Sequence, residues 1–219
     1  MHDFPAGAML TTAYFPPVEY FIIAVGSGRV LIEKHENYSK QSYRNRCNIL
    51  SANGVLPLVI PVKRFRGKKT AITDVRPDNH YSWQKLHMIS IRSAYRSAPF
   101  YEYYNDDIEP FFNTRYESLL DLNAAIFEKM LEAMNITLPW EYTNSYSKDP
   151  PPGFIDGRGS IHPKTKHPLF RETAGYPEYT QVFGDRWGFV PGLSILDLLF
   201  NTGPDAGRLL KDAASEILT

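Results

Sequence analysis

Two consecutive prolines, Pro16 and Pro17, stand between an apolar run rich in Thr and aromatics, Met9–Phe15, and a second apolar run, Val18–Val25. This punctuation limits the fold more than any other feature of the chain. Proline suits the first turn of a helix, where its missing N–H would go unpaired anyway. Met9–Phe15 therefore reads as a buried strand and Val18–Val25 as a short helix. Gly26-Ser27-Gly28 ends that helix, and Arg29–Glu33 reads as a second strand. The order is β-α-β, a frequent opening of α/β proteins. A length of 219 residues fits a single domain, 1–219, able to bury roughly 70% of its unfolded surface. One cysteine, Cys47, excludes a disulfide framework and a Cys-based zinc site.

Further along, Arg46–Leu50 and Leu56–Val62 flank Ser51-Ala52-Asn53-Gly54. Asn-Gly adopts positive φ readily, so a hairpin is expected. Lys63–Lys69 reads as a charged turn and Thr70–Val75 as another strand. The middle of the chain is helical: one helix capped by Asp78 or Asn79 and running to about Ala98, one over Tyr101–Phe112, and one over Ser118–Met134. The last carries a single apolar stripe of Leu119, Leu122, Ile126, Met130 and Met134. Residues 145–178 hold Pro, Gly and charge without periodicity. A loop of that length is either a functional lid or an unstructured segment. Near the end, Ser194 caps a helix with Asp197 as its capping-box partner, Gly203 stops it, and a final helix covers Asp205–Leu218. The expected fold class is α/β, with a mixed sheet in the N-terminal half and a mainly helical C-terminal half.

Lysine plus arginine and aspartate plus glutamate are equal at 24 each, so no global field attracts nucleic acid or an anionic membrane. No apolar run approaches the ~20 residues of a spanning helix, and the N-terminus lacks the basic start of a signal peptide. The expectation is a cytoplasmic protein without nucleic-acid or membrane partners. Charge is nonetheless uneven. Tyr38–Thr73 contains Lys40, Arg44, Arg46, Lys63, Arg64, Arg66, Lys68 and Lys69 and no acid. Within it, Lys40-Gln41-Ser42-Tyr43-Arg44-Asn45-Arg46 gathers two guanidiniums and an ammonium. Arginine forks match phosphate and carboxylate oxygens in two-point contacts, so the run is either an anion clamp or a solvated basic turn.

His87 shares a helix face with Trp83. It reads as a proton-transfer group, since its ordinary pKa lies near neutrality, or as a core histidine beneath Trp83. In the long loop, Asp156-Gly157-Arg158 and His162-Pro163-Lys164 bring both charge signs to a segment that either closes over an anionic substrate or is ordinary surface. No recognised metal-ligand spacing, Walker loop, Gly-x-Gly-x-x-Gly or Gly-x-Ser-x-Gly element occurs. No metal is expected and no cofactor is assigned.

The ordered set LTTAYFPPVEYF (Leu10–Phe21), EKHENYSKQSYRNRCNI (Glu33–Ile49), GVLPLVIPV (Gly54–Val62), Trp83–Tyr104, DGRGSIHPK (Asp156–Lys164) and Tyr179–Gly203 resembles the WbqC-like protein family. The resemblance implies a bacterial cytoplasmic protein, linked mostly through genetic neighbourhood to surface-polysaccharide (O-antigen type) biosynthesis. It places Lys40, Tyr43, Arg44, Asn45, Arg46, His87, Arg158, Lys164, Gln181 and Asp197 on motif positions. Many relatives have Asp where this chain has Glu33. The reading that follows is a transferase acting on an activated sugar or similar small anionic metabolite. Lys40, Tyr43, Arg44, Asn45, Arg46, Arg158, Lys164 and Gln181 would bind the substrate, and His87 would move the proton. The alternative is a non-catalytic binding or scaffold protein of a biosynthetic assembly.

Overall fold

A computed structural model describes residues 5–63, 69–165, 169–170 and 174–218. The opening is β-α-β as expected. Strand β1 (Gly7–Thr11) is buried throughout. Helix α1 (Val18–Gly26) starts directly after Pro17, whose extended backbone caps it. Strand β2 (Val30–Glu33) then pairs parallel to β1, Leu10 opposite Ile32. A 3-10 turn at Tyr43–Asn45 leads into the antiparallel hairpin of β3 (Arg46–Ser51) and β4 (Gly54–Val59). Gly54 takes the positive φ, 99°, that the tight turn requires.

The middle contains α2 (Trp83–Tyr95), α3 (Tyr101–Ile108), α4 (Pro110–Asn113) and α5 (Leu119–Ala133). Three expectations shift here. Neither Asp78 nor Asn79 caps α2: Asp78 accepts from His80, Asn79 from the Trp83 indole, and the helix begins only at Trp83. The helix expected over Tyr101–Phe112 divides at Pro110, which has no N–H to continue the ladder. Its apolar stripe of Tyr101, Tyr104, Ile108 and Phe111 remains buried. The strand expected at Thr70–Val75 is a 3-10 turn, Ile72–Asp74, with one isolated bridge from Ala71 to Asn37. Most of the charged turn at Lys63–Lys69, with Arg64, Arg66 and Lys68, lies outside the described residues.

Strands β5 (Trp140–Tyr142) and β6 (Phe154–Asp156) complete a four-stranded sheet of order β5-β2-β1-β6, parallel throughout. The α/β class holds, with parallel and antiparallel pairing in two separate sheets. Strand β6 falls inside the 145–178 segment, read from sequence as a loop. At three residues it is too short to show any period. The C-terminal part supplies α6 (Gly184–Trp187), α7 (Ile195–Thr202) and α8 (Ala206–Leu218). Helices α7 and α8 pack against α1, while α7 and α2 pack against β3. The approach of α8 is close. A Cβ on Gly26 would lie 2.5 Å from Leu218, and one on Gly207 would lie 2.3 Å from the Met134 carbonyl oxygen.

The connection leaving β1 runs to β2 on one side, whereas β6 lies on the other. Open parallel sheets bind ligands beyond the carboxyl ends of their strands, at such a reversal of strand order. Thr11, Glu33, Thr143 and the Asp156-Gly157-Arg158 exit of β6 stand at that edge.

Candidate functional site

Glu33, the last residue of β2, is fully buried. Its Oε1 accepts from the Thr143 hydroxyl (2.8 Å) and the His35 N–H (2.7 Å), and its Oε2 lies 3.7 Å from Arg158 Nη1. Arg158 is occupied elsewhere as well. It forks onto Asp156 through Nε (2.9 Å) and Nη2 (2.7 Å) and donates to the carbonyls of Ser147 (2.6 Å) and Lys148 (2.7 Å). The guanidinium holds the Asp156 carboxyl below its ordinary range. Arg158 thus ties the exits of β2 and β6 together, and most of its donors face protein.

The basic run divides in the same way. Arg44 is buried and forks onto Glu36, with Nε donating at 2.7 Å and Nη2 to the other oxygen. Its carbonyl accepts from Asn123 at 2.8 Å. Asn45 donates to the Ile60 carbonyl at 2.7 Å, fastening the turn to the strand after the hairpin. Arg46 differs. It is half-buried, its Nε is buried without a partner, and no acid pairs with it among the described residues. Lys40 is exposed.

Lys164 returns to this region from the segment after β6 and donates its ammonium to Gln41. Gln41 holds a left-handed φ of 59°, a strained conformation for a non-glycine residue of the kind found at ligand sites. His162 lies within the field of the same cations. Burial is the main cause that lowers its pKa, and the fields of Arg44, Lys164 and Arg46 add to it. The imidazole is therefore neutral at physiological pH. Its Nδ1 accepts from the Lys164 N–H at 3.2 Å, which leaves the proton on Nε2. Arg46 also bears on Tyr38 and Tyr43. So Tyr43, Arg44, Arg46 and Lys164 come together, and His162 joins them.

His162 and Tyr43 also line a cavity of about 280 Å³ with Glu19, Phe170, Tyr176 and Gly192. Glu19 stands in the first turn of α1, is 8% exposed, and has an Oε2 without a partner among the described residues. Burial pushes its carboxyl up to about 7, against its own backbone N–H and the Tyr176 hydroxyl, which pull it down.

Two expected site residues, His87 and Gln181, lie apart from this group, as does the motif residue Asp197. His87 is 5% exposed, shares a 2.9 Å hydrogen bond with the Tyr14 hydroxyl through Nδ1, and packs edge-on to Trp83. Burial pushes its pKa down to about 4, opposed by a hydrogen bond with the Val59 backbone. Gln181 donates to the Val190 carbonyl and to Asp197 Oδ2, each at 2.9 Å, and accepts from the Val190 N–H at 2.8 Å. Asp197 is fully buried and receives the Tyr179 hydroxyl at 2.7 Å. Burial raises its carboxyl to about 6, opposed by Tyr179, Tyr95 and Gln181. Its carboxylate therefore fastens the 179–190 segment onto α7. It does not close a capping box, although Ser194 does cap the helix by accepting from the Leu196 N–H.

Sequence reasoning passed over Glu19, Glu36 and Tyr176. Glu19 had a visible signal: it is the one charge in the apolar run Val18–Val25. Glu36 sits two residues before the acid-free stretch, which hid it as Arg44's partner. Among the described residues no three His, Cys, Asp or Glu side chains gather as a metal site would need, and no helix is long and apolar enough to cross a membrane.

These features define an α/β protein with an open parallel sheet, whose convergent polar and cationic groups gather beyond the carboxyl ends of its strands. The profile of the WbqC-like protein family matches residues 12–150 and 164–209, and the chain belongs to that family. It is 25% identical over 231 aligned positions to the uncharacterized protein Rv1507c of Mycobacterium tuberculosis, covering 93% of this chain and 96% of that protein. No solved structure matches.

Proposed function

We propose that this protein is a transferase acting on a small activated metabolite, an activated sugar or a similar compound, whose anionic group is held by Arg46 and Lys164. The cytoplasmic assembly of surface polysaccharide is the setting that the family resemblance suggests. The observation that carries the reading is Arg46: a half-buried guanidinium with a buried, unpartnered Nε and no acid, among the described residues, to neutralise it. Burying such a group is costly unless something pairs with it, and an incoming phosphate or carboxylate supplies both the charge and two-point acceptor geometry. His162, with its proton on Nε2, donates to the same group and adds no charge. Arg44, held by Glu36, fixes the turn that presents Arg46. A positioned cluster of this kind accelerates transfer by orienting the donor and stabilising the charge that develops on its leaving group. Arg158, Asn45 and Gln181 support the surrounding segments in this reading, and His87 stays outside it.

The test is calorimetric titration with nucleoside-diphosphate sugars, sugar 1-phosphates and inorganic pyrophosphate on wild type and Arg46→Ala. Binding at least about tenfold weaker in the variant, a loss of about 1.4 kcal/mol, with an unchanged unfolding midpoint, is expected. Equal binding by the two proteins overturns the assignment. Release of nucleotide or phosphate from a bound donor then distinguishes a transferase from a binding protein.

A further inference from the structure

We propose that the cavity around Glu19 is a subsite for an ammonium group, so that the metabolite taken by this protein is a small zwitterion. Its cationic end would rest on Glu19 and its anionic end on Arg46 and Lys164. The second half of this statement rests on the function proposed above; the first half stands on the cavity itself.

Glu19 is more than nine-tenths buried, lines the 280 Å³ space, and leaves Oε2 unpartnered among the described residues. The groups facing it come from three places. Tyr43 comes from the 3-10 turn, Tyr176 and the more distant Tyr179 from the segment before α6, and His162 from the segment after β6. All are uncharged at neutral pH, and among the described residues no cation contributes to the carboxyl's electrostatics. A buried carboxylate without a counter-charge is unfavourable, and the counter-charge can come with a ligand.

The rest of the lining agrees. The rings of Tyr43, Phe170 and Tyr176 border the same space, and ring faces attract alkylammonium ions. Gly192, which borders Glu19, holds a φ of 72° that a side chain would strain, so glycine suits that part of the wall. A hard divalent cation fits poorly, since it takes six or more oxygen ligands and Glu19 is the one acid among the described lining residues. The volume is slightly below the ~300–1,000 Å³ of ordinary ligand pockets, which suits one end of a small metabolite. Tyr43 and His162 feel the anion-site cations and also line this cavity, so the two subsites are neighbours.

The experiment uses three matched probes of graded chain length: aminoalkyl phosphates, the corresponding alkyl phosphates, and the corresponding alkylammonium ions. Titrations run at about pH 8, where an alkyl amine is still charged and Glu19 is ionised. Wild type, Glu19→Gln and Arg46→Ala are compared. In wild type the best aminoalkyl phosphate is expected to bind at least about tenfold more tightly than its amine-free counterpart. That advantage should vanish in Glu19→Gln while alkyl phosphate binding persists. Equal binding of the two phosphates, both dependent on Arg46, overturns the ammonium subsite and leaves the anion site standing. Glu19-dependent binding of alkylammonium without binding of any phosphate supports the subsite and removes the anion reading. Absence of binding by every probe overturns both. Should Glu19→Gln fold poorly, carbon-13 NMR of the wild-type Glu19 carboxyl decides. Its titration midpoint should fall by about one pH unit or more when alkylammonium saturates the site, and an unmoved midpoint overturns the proposal.

Discussion

Replacing Glu36 by Ala removes the acid that holds Arg44 and leaves a guanidinium stranded in the interior. The two side chains are 11% and 8% exposed, so solvent screens the pair only slightly. Removing one partner of a buried pair costs about 3–5 kcal/mol, much of it the penalty of the charge left behind. For a chain of this size one kcal/mol moves the melting temperature by roughly 2–4 °C, so a drop of about 6–20 °C is expected. Arg44→Ala should lose a comparable amount by stranding Glu36. The hydrogen bond from Asn123 to the Arg44 carbonyl involves only backbone at residue 44 and survives that change, so the loss reports on the guanidinium. The double variant should be less destabilised than the two losses added, with a coupling of about 1–3 kcal/mol. Urea unfolding of the four proteins at neutral pH measures this. Single variants within about 0.5 kcal/mol of wild type, or a strictly additive double, would refute the assignment of Arg44 to structure and return it to the ligand.

Glu19 makes stability depend on pH. Its carboxyl moves from 4.5 to about 7 on folding, so between those values the folded state binds the extra proton. Its contribution is fully present below about pH 4.5 and is lost as pH rises through about 7, a change of order 3 kcal/mol. Glu19→Gln should therefore gain stability relative to wild type from pH 5 to pH 8, and a flat difference in urea midpoints across that range counts against the buried acid. His87, depressed to about 4, should show imidazole NMR shifts that stay constant from neutrality down to about pH 5; a midpoint near 6.5 would place it in solvent. Arg158→Ala should cost about 3–5 kcal/mol by removing the cation paired with buried Glu33 among the described residues, read from thermal unfolding, and a loss below about 1 kcal/mol argues against the tie between β2 and β6. Gly207→Ala should destabilise by about 1–3 kcal/mol although alanine favours helix by about 1 kcal/mol, because the new methyl meets the Met134 carbonyl oxygen at 2.3 Å; a stabilised variant would show that α8 can shift.

The part of the fold written in local punctuation was legible in the sequence. Pro16-Pro17 and Gly26-Ser27-Gly28 bracket α1, and Asn53-Gly54 turns the hairpin. Ser118 caps α5, its hydroxyl accepting from the Asp121 N–H at 3.3 Å. Features decided by partners distant in sequence were not legible. Strand β6 is identified as a strand by its pairing with β1, since Phe154-Ile155-Asp156 alone has no pattern. The site divides along the same line. The run from Lys40 to Arg46 announced a concentration of positive charge, and Lys164 was picked out with it. Which cation is spent internally depended on Glu36 lying outside the acid-free stretch, on Asp156 facing Arg158, and on Arg46 facing neither. Charge counting along the chain gives the supply of cations; pairing in space gives the remainder left without an acid among the described residues.

That remainder has a physical reason to persist. Arg44 and Arg158 could each bind an anion by chemistry alone, yet each is fixed by a carboxylate at hydrogen-bond distance. Rigid, neutralised pairs at the exits of β2 and β6 cost little to hold once folded, and they keep the adjoining turns from moving. Arg46 and Glu19 break the pattern in opposite senses: one is a cation and the other an acid, neither has an ion-pair partner among the described residues, and both bear on Tyr43. Two unmatched charges of opposite sign so placed should relax onto each other if folding stability were the only constraint, since their pairing would remove both desolvation penalties at once. They remain apart because α1 fixes Glu19 in its first turn and the 3-10 turn fixes the backbone that leads into Arg46. The zwitterionic ligand proposed above would satisfy the two together, which makes the separation of these two side chains the feature of this fold on which that proposal most directly turns.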